Sequence, residues 1–257
     1  MFTSIRGNVA IVTGAASGAG LGVAKVYAKN GISVVITGRT ESRLLSAKKE
    51  IEEQTPDAKV LVVVADNTDH DAAEKIVSKT IETFGKLNIL VNCAQTFRAN
   101  IKVEDVSWDD ITAVYESGVF GAWRLMQAAF PYLKESQGTV INFASGADTT
   151  NVPHYAVYAS NKAALRSITR IAAKEWGPYN INLNNVNPLN PSRESDNIND
   201  DPAAATSTEA VVNAIPMRRW GDIEKDVGSV CLFLALPEGH YLTGMTFDVD
   251  GGTTIRS

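Results

Sequence analysis

Cysteine is scarce in this sequence. Cys93 and Cys231 are the two in 257 residues, each within an apolar stretch ("ILVNCAQ", "GSVCLFLAL"). Two isolated thiols without a C-x-x-C spacing exclude a disulfide scaffold and read as buried side chains in a reducing compartment. Histidine is also rare, and His70, His154 and His240 lie far apart, so no metal site is expected. An excess of basic residues is missing too. The 24 Lys and Arg against 29 Asp and Glu leave a net charge of -5. That balance argues against nonspecific binding to nucleic acid or an anionic membrane, and leaves a local basic pocket open. No apolar run approaches the roughly 20 residues of a membrane span. The opening "MFTSIRGNVAIVTG" passes straight into a strand pattern, so the expectation is a chain without a secretory leader, in the cytoplasm. No repeat, low-complexity run or linker divides the chain, and one domain over residues 1–257 is expected.

What is present is alternation. Short β-branched runs at 8–13, 33–37, 59–65, 87–92, 138–144, 181–187 and 245–250 are separated by stretches of helical period. The helical stretches include "GLGVAKVYAKNG", which stops at Gly31, "ESRLLSAKKEIEEQ", a long one near 107–135 and another near 155–176. The strands are nearly all apolar, as required when helices cover both faces of a sheet. The pattern predicts an α/β fold: a Rossmann-like, doubly wound parallel sheet of about seven strands. One region is irregular. "PLNPSRESDNINDDPAAAT", at 188–206, follows a strand end where such sheets bind ligands. It is either a solvated loop or part of a substrate lid around 188–215, and its location favours the lid.

"VAIVTGAASGAGLG" places Gly14, Ser17, Gly18, Ala19 and Gly20 between the first strand and a helix. Glycine lets the backbone turn tightly against a pyrophosphate, and the helix N-terminus offers free N–H donors and a positive dipole. The spacing is G-x-x-x-G-x-G rather than G-x-G-x-x-G, but the strand–turn–helix context is the one a dinucleotide site needs. After the second strand, in "VVITGRTESRL", Gly38 stands where an acid would hold the ribose of NAD(H), and Arg39 follows. A guanidinium suits a 2′-phosphate, so NADP(H) is favoured over NAD(H). Asp66, after the third strand, either accepts from an adenine amino group or caps the next helix.

Further along, Ser145 ends the fifth strand and "YASNK" follows, with Tyr158 and Lys162 one helical turn apart on the same face. With the glycine loop, "VNCA" after the fourth strand, "AIPMRRWGDIEKDVGSVCLFLA" and the closing "LTGMTFDVDGG", the sequence resembles the short-chain dehydrogenase/reductase family over essentially its whole length. The resemblance implies an oxidoreductase that interconverts a small-molecule secondary alcohol and ketone by direct hydride transfer. Tyr158 is then the general acid/base, Lys162 favours its phenolate and binds the nicotinamide ribose, and Ser145 donates to the substrate oxygen. The implied cofactor residues are Gly14, Ser17, Gly18, Ala19, Gly20, Arg39, Asp66, Asn67, Asn92, Tyr158, Lys162 and Pro188. A homotetramer or homodimer, built through the two long helices and the last strand region, is implied as well.

The departures from the family pattern gather around one pocket. Counting back from Gln127 puts Gly118 where the family carries an asparagine that completes a proton relay. Gln95 stands for a glycine in "NCAQ", and Leu189 follows Pro188 where the pattern has glycine, at a cost in backbone freedom. One interpretation keeps the enzyme active, with water in the space at Gly118 and a reshaped pocket. The other turns the fold to a lyase or isomerase reaction, or to cofactor-dependent binding without turnover. Retention of Ser145, Tyr158 and Lys162 together favours the first. His154, with Asn151 and Tyr155, either lines the substrate pocket or sits at the surface.

Overall fold

The computed structural model describes residues 3–190 and 208–255. Seven strands form one parallel sheet in the order β3-β2-β1-β4-β5-β6-β7. They are β1 (Val9–Thr13), β2 (Ser33–Gly38), β3 (Val60–Val64), β4 (Ile89–Asn92), β5 (Thr139–Phe143), β6 (Asn182–Pro188) and β7 (Thr246–Val249). The connecting helices are α1 (Gly18–Lys29), α2 (Glu41–Gln54), α3 (Ala72–Phe84), α4 (Trp108–Tyr115), α5 (Gly121–Ser136), α6 (Ala147–Thr150), α7 (Ala156–Trp176), α8 (Thr208–Ala214) and α9 (Ser229–Ala235). The strand order reverses between β1 and β4, which opens a crevice beyond their carboxyl ends.

Every residue of β1 is buried because both faces of the sheet are covered. Ala10 and Val12 pack with Val23 and Tyr27 of α1 and Leu44 of α2. Val9 and Ile11, pointing the other way, pack with Ile76 of α3 and with Leu125 and Met126 of α5. No described helix is long and apolar enough to cross a membrane.

The long helix expected near 107–135 is not uniform. A π-helical turn at Glu116–Phe120 separates α4 from α5. Such turns are rare within α-helices and are frequent at functional sites. The short helix α6, just after β5, was also not legible in the sequence. Most of the expected lid, residues 191–207, lies outside the described residues.

A buried polar seam fixes α7 on the sheet. Asn92, Asn142 and Asn185 stand in register on β4, β5 and β6. Asn92 donates to Asn142 Oδ1 at 2.8 Å, and Asn142 Nδ2 donates to Thr169 Oγ1 of α7 at 2.8 Å. Thr169 Oγ1 also lies 2.9 Å from Asn185 Oδ1. Buried amides are costly unless bonded, so this ladder accepts one seating of α7.

Candidate active site

A cleft of about 900 Å³ opens at the β1/β4 switch point. Its floor begins at Gly14, whose φ is +65°. A Cβ there would sit 2.9 Å from Ala94 Cα, so a side chain would push the first turn off the β4 loop. Thr13 ties the same two segments together, since its Oγ1 accepts the N–H groups of Cys93 and Ala94 at 2.9 and 3.0 Å. Ser17, Gly18, Ala19 and Gly20 line the cleft at the start of α1, where a helix leaves its first N–H groups available to an anion.

Near the end of β2, Gly38 and Arg39 line the cleft, and so does Arg43, in the first turn of α2. Arg43 donates to Ser17 Oγ at 3.4 Å, and Arg39 lies 3.9 Å from Asp66. Asp66 and Asn67 line the cleft as well. Asp66 Oδ1 accepts both the N–H and the hydroxyl of Thr68, while the N-cap of α3 is Asp71. Of the two roles open to Asp66, capping α3 is therefore not the one the fold uses.

At the other end of the cleft are Tyr158 and Lys162, in the first turns of α7, with Pro188 at the end of β6 and Asn190 just beyond it. Lys162 is buried, donates to the carbonyl of Phe143 at 2.6 Å, and has its Nζ 5.5 Å from the centre of the Tyr158 ring. Phe97 meets the Tyr158 ring edge-on at 4.9 Å and the Tyr155 ring at 5.8 Å. Burial pushes the Tyr155 phenol up from its usual range, so at neutral pH it stays protonated. Ser145 follows β5 by two residues, and its Oγ accepts the Ala147 N–H at 3.2 Å. An ion pair between the buried side chains of Asp148, in α6, and Arg166, in α7, holds this segment against α7.

This cleft is shaped for a dinucleotide. The Gly14 turn leaves room only for backbone, the N-terminus of α1 faces the opening, and two guanidiniums border it near the end of β2.

Residues 14–254 match the family model described as enoyl-(acyl carrier protein) reductase, a model of short-chain dehydrogenases and reductases. The chain belongs to the short-chain dehydrogenase/reductase family. It is 39% identical over 256 residues to the 12alpha-hydroxysteroid dehydrogenase of a Clostridium species, covering 97% of this chain and 98% of that one. It is 32% identical over 250 residues to the trans-4-hydroxycyclohexanecarboxylate dehydrogenase of Sinomonas cyclohexanicum, covering 96% and 92%. Among solved structures, NAD+-bound xylitol dehydrogenase superposes with a TM-score of 0.89 at 27% identity, covering 97% of this chain and 100% of that one. As a member of this dehydrogenase/reductase family, the protein is an oxidoreductase of the kind that acts on alcohols and ketones with a nicotinamide cofactor.

Within this short-chain dehydrogenase, some residues singled out in the sequence stand away from the cleft wall. Asn92 is turned into the asparagine seam. His154 is exposed with φ +66°, and its carbonyl accepts the Ile101 N–H. Leu189 has no positive φ. Its N–H donates to Val249 and its carbonyl accepts from Gly221, so the backbone freedom of glycine is not needed there. Cys93 is not a buried thiol like Cys231 but a half-buried one on the cleft wall. The space at Gly118 is not open to water: the carboxamide of Asn161 fills it. Sequence reasoning missed Arg43, Phe97 and Asn161. Arg43 had a readable signal, a second arginine four residues after Arg39 at the start of the next helix. Asn161 lay inside "YASNK" itself, but its partner at 118 is 43 residues away.

Proposed function

We propose that this chain is an NADP(H)-preferring oxidoreductase that interconverts a secondary alcohol carried on a ring and the corresponding ketone. The observation that carries this reading is one cleft with Arg39 and Arg43 at one end and Tyr158 beside buried Lys162 at the other. When bound, the nicotinamide accepts a hydride from the alcohol carbon or returns one to the ketone. Tyr158 takes the hydroxyl proton in oxidation and gives it back in reduction. The positive charge of Lys162 favours the phenolate that does so. Ser145 holds the substrate oxygen by a hydrogen bond. Phe97 and Tyr155 give the carbon skeleton an apolar wall. A ring substrate is supported by this wall and by the two relatives that, by name, act on a hydroxysteroid and a hydroxycyclohexane acid.

Preference for NADP(H) is supported by two guanidiniums near the end of β2 and by Gly38 in the place of a ribose-binding acid. Exposed apolar side chains on α5 (Trp123), on α7 (Ile171) and near β7 (Tyr241, Met245) support assembly with further copies of the chain, a dimer or tetramer. Two cysteines that form no disulfide suit the cytoplasm.

The test is turnover of NADP+ with a panel of hydroxysteroids, cyclohexanols and open-chain alcohols, followed by absorbance of the reduced nicotinamide. The expected result is turnover on ring alcohols, slower with NAD+ in its place. Cofactor binding without turnover on any alcohol or ketone would overturn the reading.

A further inference from the structure

The turn that interrupts α4 and α5 has a gap in it, and another helix fills that gap. Gly118 is buried in the π-helical turn Glu116–Phe120. A Cβ built on it would lie 2.5 Å from Asn161 Nδ2, 2.7 Å from Oδ1 and 3.0 Å from Cγ. Real Cβ atoms do not approach that closely, so position 118 can carry a side chain only if the Asn161 carboxamide leaves. Asn161 belongs to α7, between Tyr158 and Lys162, and is fully buried.

Its amide is bonded at both ends. Oδ1 accepts the backbone N–H of Val119 at 2.9 Å, inside the π-helical turn. Nδ2 donates to Gln95 Oε1 at 2.9 Å, on the loop after β4. A second bond clips the same loop to the same turn: the Thr96 N–H donates to Ser117 Oγ at 2.9 Å. Two residues past Gln95, Phe97 lies edge-on against the ring of Tyr158. Three elements thus meet on one carboxamide: the π-helical turn, the β4 loop and the helix that bears the proton-transferring tyrosine.

We infer that Asn161 is a positioning residue, and that Gly118 and Asn161 form a reciprocal pair in which the missing side chain of one makes room for the amide of the other. Resting on the oxidoreductase reading above, Asn161 acts through Gln95 and Phe97 to hold the Tyr158 ring at its distance from Lys162. Gln95 is then not a free pocket residue. It is the second clamp of this unit, and its Nε2 is buried with no partner among the described residues. Removing the Asn161 amide leaves the Val119 N–H and the Gln95 carbonyl unpaired in a buried place. The β4 loop then loses one of its two ties to the turn. A carboxamide placed on the opposite wall, at 118, occupies the same volume and can restore those bonds only when residue 161 is small.

The test is a cycle of four proteins: wild type, Asn161→Ala, Gly118→Asn, and the double variant Gly118→Asn/Asn161→Ala. Melting temperature, cofactor Kd, kcat, KM and the pH dependence of kcat are read for each. Asn161→Ala is expected to lower kcat by about tenfold or more with KM and cofactor Kd little changed. It is also expected to move the rise of the oxidation rate to higher pH, because the phenolate is then less well coupled to Lys162. Gly118→Asn alone is expected to lower both kcat and melting temperature. In the double variant kcat and the pH profile are expected to return toward wild type, a rescue that a purely structural loss would not give. Losses that multiply in the double variant would overturn the pairing. A wild-type kcat and pH profile in Asn161→Ala would overturn the positioning role. The melting-temperature arm needs no substrate. A failed oxidoreductase reading would leave its pattern in place, whereas a failed pairing would abolish the pattern even in an active enzyme.

Discussion

The two ends of the cleft differ in how they are built. The end under β1, β2 and β3 is local: each element of the cradle comes from one short stretch. Gly14 through Gly20 run from the turn after β1 into the start of α1, and Arg39 and Arg43 are four residues apart. The end under β4, β5 and α7 is assembled from distant segments. Phe97, Gly118 and Asn161 come together only through the sheet order and the asparagine seam. A local site can keep its motif while the chain around it varies. A dispersed site can exchange a side chain between two walls, as at Gly118 and Asn161, and still offer the same group at the same place. On the proposed function, the first end selects the dinucleotide, and the second selects the reaction and its substrate.

The largest effect that would break this division is expected at Tyr158. Tyr158→Phe removes the hydroxyl proposed to transfer the proton and should lower kcat by about a thousandfold. Cofactor affinity, measured by quenching of tryptophan fluorescence, should change little. If cofactor binding fell with turnover, the two ends would not be separable. Next is the ion pair that seats α6 on α7. Asp148→Ala leaves the Arg166 charge buried, and chemical denaturation should show a loss of about 3–5 kcal/mol of stability. Wild-type stability would mean that this pair does not anchor the Ser145 segment.

A smaller effect sharpens the cofactor end. Arg39→Ala and Arg43→Ala should each weaken NADPH by about tenfold, the worth of a charged hydrogen bond, and leave NADH nearly unchanged. Equal losses for both dinucleotides would remove the 2′-phosphate argument. The smallest effect concerns the thiols. Cys93, on the cleft wall, should be alkylated slowly and be protected by cofactor. Cys231 should stay unmodified in the folded protein, because burial, reinforced by the nearby Cys93, pushes its thiol up and leaves little thiolate. Peptide mass mapping after alkylation reads both.

The same contrast explains what the sequence made legible. All seven strands fell within a residue or two of their expected places, because runs such as Val9–Thr13 and Ser33–Gly38 are buried on both faces and so carry their signal in composition alone. The cradle was legible because its chemistry is contiguous. The π-helical turn was not, because Glu116–Phe120 has no distinctive local pattern, and what fills its gap is an asparagine from another helix. Gly118 was readable as a departure from a pattern. Its replacement was not, since nothing in one dimension pairs position 118 with position 161. Phe97 was hidden for the same reason: its partners, Tyr155 and Tyr158, lie more than fifty residues on.

The central claim is that this cleft moves a hydride between a ring carbon and NADP(H) while Tyr158 moves the proton. It is tested most directly by isotope transfer. A ring alcohol deuterated at the hydroxyl-bearing carbon is oxidised with NADP+, and the reduced cofactor is weighed by mass spectrometry. The account predicts one deuterium in each NADPH formed, and no NADPH from Tyr158→Phe on the same timescale. Ketone formed without deuterium in the cofactor, or full transfer by Tyr158→Phe, would contradict it.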